Sequence, residues 1–214
     1  MDASFQEEII SENKLKLVFK IKEFPKQYLS KINIFGNNIT EEKVIRDNLR
    51  VDEGDPFNKL LLSKSMNNIR ALNIFGKVDY TLDTIEENKK ILNISIEEKP
   101  TGEISAGAGT GTQGSTFGFG VKENNFLGKN IMLDTNLRVT DETIKGKFSV
   151  INPKWNYTDK LLKASVESST TDRMSDFGYE TSTTGFVVGA GWEQYEDVIF
   201  TPEISSFYEK LDTN

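Results

Sequence analysis

Cysteine and histidine are both absent from this chain of 214 residues. Without thiols, a disulfide framework and Cys-ligated metal sites are excluded. Without imidazole, His-based catalytic triads and His-ligated metals go as well. No apolar run approaches the ~18 residues that a membrane-spanning helix needs. Positive charge is also short: the net charge is −7 and the pI near 4.9. No basic stripe offsets this, so nucleic acid is excluded as a partner. The opening residues, Met1 to Ser4, carry neither a basic nor an apolar segment. They are not a signal peptide, and for an exported protein they predict a mature form or a fragment.

What is present begins most clearly at Gly102. From there the chain alternates with a period of two, which places each set of residues on its own strand face. Ile104, Ala106, Ala108 and Thr110 alternate with Glu103, Ser105, Gly107 and Gly109. Phe117, Phe119 and Val121 alternate with Gly118, Gly120 and Lys122, and Phe186, Val188, Ala190 and Trp192 with Gly185, Val187, Gly189 and Gly191. A water-soluble sandwich and a membrane barrel both show such writing. The turns separate them. Breaks near 111–114, 126–129, 140–143, 153–160, 173–178 and 193–199 leave seven strands of about ten residues, the length that crosses a bilayer when tilted. The second, fourth and sixth breaks carry Phe126, then Trp155 and Tyr157, then Trp192 and Tyr195. The first and third carry no aromatic residue, and the fifth has Phe177 with Tyr179 beside it. Alternate turns of an up-and-down barrel share one side of the membrane, so these rings read as a membrane-interface girdle in contact with the lipid bilayer. Seven strands cannot close an even-numbered barrel, so the sequence also reads as a fragment.

The first hundred residues follow another rule and echo themselves. The stretch 15–25 recurs 75 residues later as 90–100, and Glu12, Asn13 and Lys14 recur as Glu87, Asn88 and Lys89. Both stretches read as hairpins ending before a proline, a sign of tandem domains. Between them the spacing predicts a strand over Tyr28–Phe35 and a short helix with Thr40 as N-cap and Val44, Ile45 and Leu49 as its apolar side. A second helix is predicted over 58–72 with Leu62, Met66 and Ile69 inward, then strands over 77–85 and Lys89–Glu98. Two helices on one sheet make a small α+β layer. Gly36 to Asn38 read as a turn that uses positive φ.

Catalysis finds no support. The carboxylate pairs Asp141–Glu142 and Glu196–Asp197 fall in turns and read as solvated charge. The glycine-rich run 107–111 sits in an alternating strand with no helix after it, so it is not a phosphate loop. No enzyme activity, metal or cofactor is expected.

The strand–helix–helix–strand–strand order, with Ile34 to Asn37 opening it and Leu72 to Phe75 before its second strand, resembles a POTRA domain. The run 98–111, then 117–128, is similar to the POTRA–barrel junction of the BamA family of outer membrane protein assembly factors, and Asn152–Pro153 followed by aromatics fits that family's second periplasmic turn. The resemblance covers the whole chain. It implies that 1–25 end a preceding POTRA repeat, 26–99 form the last one, and 100–214 open a sixteen-stranded antiparallel transmembrane barrel. It further implies an outer membrane location with the POTRA part in the periplasm, unfolded outer membrane proteins as clients, and accessory assembly lipoproteins docking through the POTRA. Glu53, between Asp52 and Asp55, falls where the family's last repeat has an acidic docking residue, so charge reversal there is expected to weaken docking and leave stability unchanged. The strand 103–111 falls at the family's lateral seam, so Glu103, Ile104, Ser105, Ala106, Gly107, Ala108, Gly109 and Gly111 become candidates for templating an incoming strand. Its glycines either loosen the seam or relieve crowding inside the barrel. A secretion transporter of the same superfamily, of the two-partner or autotransporter-assembly kind, is the alternative. A soluble adhesin or carbohydrate-binding module is the reading from another class.

Overall fold

The computed structural model describes residues 2–11, 14–22, 25–111, 114–195 and 198–213, and in them three sheets follow one another along the chain. The first is a hairpin of β1 (Asp2–Ser11) and β2 (Lys14–Lys22). The turn expected at Glu12 and Asn13 lies outside the described residues, as does the carboxylate pair Glu196–Asp197.

The second unit contains β3 (Tyr28–Phe35), α1 (Glu42–Arg46), α2 (Lys59–Ala71), β4 (Phe75–Glu86) and β5 (Lys89–Glu98). β5 lies in the middle, parallel to β3 and antiparallel to β4. Leu29 and Ile32 of β3 and Leu92, Ile94 and Ile96 of β5 meet Val44 and Ile45 of α1 and Leu62, Met66 and Ile69 of α2 in one buried cluster. The side chain of Asn58 caps α2, accepting from the N–H groups of Leu60 at 2.9 Å and Leu61 at 3.2 Å. The cap of α1 differs from the expectation: Glu41, not Thr40, holds the N-cap position and makes no side-chain cap bond. Thr40 has other partners, described below. β4 also begins two residues earlier than alternation suggested, because Phe75 is buried in the same core.

The third unit is the large sheet. Its strands are β6 (Gly102–Gly111), β7 (Gly114–Phe126), β8 (Ile131–Thr140), β9 (Thr143–Asn152), β10 (Lys160–Arg173), β11 (Tyr179–Tyr195), β12 (Val198–Phe200) and β13 (Glu203–Thr213). They are antiparallel and, apart from β12 and β13, in sequence order. Those two share one edge of β11. Pro202, which lacks an N–H, interrupts what is otherwise one strand, and its carbonyl still accepts from Ala190 at 3.2 Å. Seven strand positions result, as the alternation predicts.

Register turns the alternation into two faces. Ala106 stands opposite Phe119, Phe119 opposite Leu137, Val150 opposite Leu133, and Val166 opposite both Phe148 and Phe186. This face is apolar and open: Phe117 is 49% exposed, Phe148 42% and Val166 54%. The other face carries Gly107, Gly118, Gly120, Arg138, Lys147 and Lys163, with Lys147 3.7 Å from Glu167. Such a sheet, apolar outside and polar inside, suits lipid on one side and water on the other.

Candidate functional site

Two features of the third unit bear on function: its first strand and the ends of its strands nearest the small α+β unit.

β6 pairs only with β7, so its other edge carries N–H and C=O groups with no strand beside them among the described residues. Every residue from Gly102 to Gly111 is exposed. Ile104, Ala106 and Ala108 share the apolar face, while Glu103, Ser105, Gly107 and Gly109 share the polar one. A Cβ built on Gly107, Gly109 or Gly111 meets no atom within 4 Å. On the same polar face Gly118 is also open, meeting only the Gly107 carbonyl at 4.0 Å, whereas Ser105 and Asn136 lean over Gly120, the Phe207 ring covers Gly185, and Lys163 and Glu203 close over Gly189. At Gly107, Gly109 and Gly111 β6 is backbone bare of side chains, along an edge with no strand beside it among the described residues.

The junction is built from two turns of the sheet set against the loop 36–41 and α1. In the turn after β7, the amide of Asn125 donates to the hydroxyl of Thr40 at 2.9 Å, and both residues are buried. The Glu41 N–H donates to the Gly128 carbonyl at 2.9 Å. Gly128 has φ of +70°, and a Cβ there would strike the Ile39 carbonyl, so only glycine allows this approach. In the turn after β9, the Lys154 ammonium donates to the Asp47 carbonyl at the C-terminal end of α1, where a cation suits the exposed carbonyls. The Tyr157 hydroxyl donates to Glu41 at 2.7 Å, and Lys43 lies 3.6 Å from the centre of the Tyr157 ring. The Glu41 hydrogen bond raises the Tyr157 phenol above its ordinary pKa, and burial raises the Asp47 carboxyl against the pull of Lys154 and Lys43. Four of the five non-glycine residues with left-handed backbone among the described residues gather in these same two turns: Leu127, Asn130, Asn156 and Tyr157. Such conformations are costly and persist where surrounding contacts hold them. Between α1 and the two turns lies a cavity of about 450 Å³ lined by Val44, Asp47, Lys129, Trp155 and Tyr157 among others.

These contacts bear on the girdle expectation: Tyr157 has a protein partner in Glu41, and Trp155, 52% exposed, lines the cavity beside α1. Sequence shows an aromatic residue at a turn but not which neighbour it meets. Phe126 borders a shallow hollow with Ile39 and Glu98. Trp192 packs edge-on against Phe200, ring centres 5.2 Å apart, and Tyr195 is 71% exposed. These three remain available to an interface.

The acidic loop is also committed internally. Glu53 accepts from the Ile32 N–H at 2.9 Å and stands 3.7 Å from Arg46. Asp55 accepts from the Asp52 N–H at 3.0 Å, while its backbone carbonyl takes the Leu29 N–H at 3.0 Å. The loop thus covers the outer edge of β3. The expectation that charge reversal at Glu53 leaves stability unchanged does not fit, because that carboxylate satisfies a donor on a buried residue.

Sequence and structural comparisons agree with this geometry. Residues 27–99 match the model of the POTRA family, described as "Surface antigen variable number repeat". The outer membrane protein assembly factor BamA of Neorickettsia risticii (strain Illinois) is 29% identical over 119 residues, covering 55% of this chain and 16% of that protein. BamA of Neisseria meningitidis serogroup B is 27% identical over 175 residues, covering 78% of this chain and 22% of its own length. The chain therefore spans a small part of the curated relatives it matches. The crystal structure of BamA from Haemophilus ducreyi lacking POTRA domains 1–3 superposes with a TM-score of 0.75 at 20% identity, over 99% of this chain and 42% of that one. Residues 27–99 are thus a POTRA domain, and in sequence and fold the chain is similar to BamA, a POTRA domain running into the opening strands of an antiparallel barrel.

Proposed function

We propose that this chain is the junction segment of an outer membrane protein assembly factor, which folds and inserts β-barrel proteins into the outer membrane of a Gram-negative bacterium. The single observation that supports the reading is the POTRA domain of 27–99 running through Lys99, Pro100 and Thr101 into a sheet with an exposed apolar face, whose first, edge strand β6 is bare of side chains at Gly107, Gly109 and Gly111. Lipid offers such an edge no hydrogen-bonding partner, so the edge favours strand addition. An unfolded client strand can add by main-chain pairing that does not depend on its side chains. In this reading 1–25 close a preceding POTRA repeat, 26–99 are the last repeat in the periplasm, and 100–214 open a sixteen-stranded barrel whose first and last strands meet at β6. Accessory lipoproteins dock on the POTRA side, with Asp52, Glu53 and Asp55 as the candidate surface. Phe126, Trp192 and Tyr195 meet the membrane interface.

The test is made in the full-length protein. Cysteine at Ser105 or Gly107 should crosslink both to a stalled client strand and to the protein's own last strand, in competition. Locking the seam by a disulfide should stop insertion and leave the barrel folded, with reductant restoring it. Normal insertion by a fully locked protein removes the seam mechanism and favours passage through the pore, the transporter reading.

A further inference from the structure

Three successive N–H groups in the loop between β3 and α1 converge on one carboxylate. Asn38 and Ile39 donate to one Glu98 oxygen at 3.0 and 2.9 Å, and Thr40 donates to the other at 2.6 Å. Consecutive backbone donors of this kind form an anion cradle. Here the chain fills the cradle itself, from the last residue of β5. Gly36 sits beneath the cradle with φ of +89°, and its missing side chain lets the Ile96 carbonyl close in. Asn37 ties the turn from above through the Thr40 carbonyl at 3.1 Å.

The loop shaped in this way is the one that meets the barrel. Thr40, gripped through its N–H by Glu98, offers its hydroxyl to Asn125, and the next N–H, from Glu41, goes to Gly128. Glu98 is also followed by only Lys99, Pro100 and Thr101 before β6 begins. One side chain therefore joins the chain's exit from the POTRA to the surface that docks the turn after β7. Of the other contacts, Lys129 with Glu41 at 3.6 Å lies at the turn after β7, and Lys154 with Asp47 and Tyr157 with Glu41 lie at the turn after β9; none involves Glu98. The POTRA core does not include it either.

We propose that Glu98 is a positioning residue that fixes the angle between the POTRA domain and the opening barrel strands. Its negative charge organises the loop 38–40 into the docking surface for 125–128. Without it, the Lys129–Glu41 pair and the contacts at the second turn remain, and the POTRA swings about them.

The test uses full-length protein in lipid nanodiscs, with spin labels on Lys64→Cys in α2 and Ser175→Cys beyond β10. Glu98→Gln and Glu98→Ala should widen the interspin distance distribution several-fold, while Glu97→Gln, at the exposed neighbouring carboxylate, leaves it narrow. Formate should narrow it again for Glu98→Ala, because a small anion fits an emptied cradle. Unchanged widths in both Glu98 variants would overturn the proposal. So would failure of formate to restore Glu98→Ala, or widening only in step with loss of cooperative POTRA melting. Client insertion, the one readout that rests on the assembly role, is measured separately. A widened distribution with normal insertion would leave Glu98's positioning role in place and remove the domain angle from the assembly mechanism.

Discussion

The POTRA domain and the large sheet treat the same residue types in opposite ways. Among the described residues, every buried hydrophobic side chain lies between Leu29 and Ile96. Past Gly102 the Phe, Leu, Ile and Val residues line an exposed face instead. Both regions are antiparallel or mixed sheets, and both alternate. The difference is that the POTRA covers its sheet with two helices, whereas the barrel strands leave that task to lipid. An exposed apolar face of this extent has meaning only with a nonaqueous neighbour. One chain thus carries two solvents in its sequence, and the change falls within the residues 99–101.

Breaking the comparison at the POTRA core gives the largest expected effect. Leu62→Ala or Ile69→Ala should cost about 2–5 kcal/mol by lost burial and a residual cavity, read by denaturant unfolding of the POTRA transition. The same type of deletion on the barrel face, Val166→Ala, should cost much less in water, since Val166 is already exposed. There the sensitive change is a charge: Leu137→Arg should cost about 2–4 kcal/mol if the position lies near the bilayer midplane, measured by unfolding from lipid vesicles. Little effect in lipid would take away the sheet's assigned neighbour. Glu53→Ala should destabilise the POTRA by about 1–3 kcal/mol, because the Ile32 N–H loses its acceptor. Any change at the proposed docking surface must then be corrected for that loss of stability.

The smallest effect sharpens the comparison at its seam. Burial opposes charge on Glu98, but the hydrogen bonds from Thr40, Ile39 and Asn38 prevail and hold its carboxyl below the usual range. A folded pKa below the unfolded one contributes stability present above the unfolded value and lost as pH falls through the folded one. Glu123 and Lys99 line the same hollow. The junction should therefore loosen on acidification below the usual carboxylate range, with Glu98→Gln abolishing most of the dependence. An equally steep pH profile in Glu98→Gln would remove Glu98 as the group responsible.

Much of this was legible before any coordinates because the environment acts on single residues. Lipid or core selects every second side chain, so strands such as Tyr28–Phe35 and Lys89–Glu98 could be read to their ends. The junction could not be read that way. Thr40 reads as a helix cap because it precedes two glutamates, but its partner Asn125 is 85 positions away. Tyr157 carries the mark of an interfacial ring, and only the fold reveals Glu41 and Lys43 beside it. Glu53 has the local pattern of a solvated loop acid, yet it closes the edge of β3. The one available signal was Gly128, whose Asn-Asn-Phe-Leu-Gly context marks a tight turn without saying what the turn must approach.

The short passage from β5 into β6 sets a zero point for counting. Thr101 is held from three directions: its hydroxyl bonds Glu123, and its carbonyl accepts the backbone N–H of Asn124 at 3.3 Å and that residue's side-chain amide at 3.2 Å. β6 therefore cannot creep along its axis while the junction is intact. A one-residue slip in pairing would turn every side chain of an added strand to the wrong face. In the templating role proposed for β6, such a fixed origin is what strands of unrelated sequence would share, because the bare backbone contains almost nothing else to measure from.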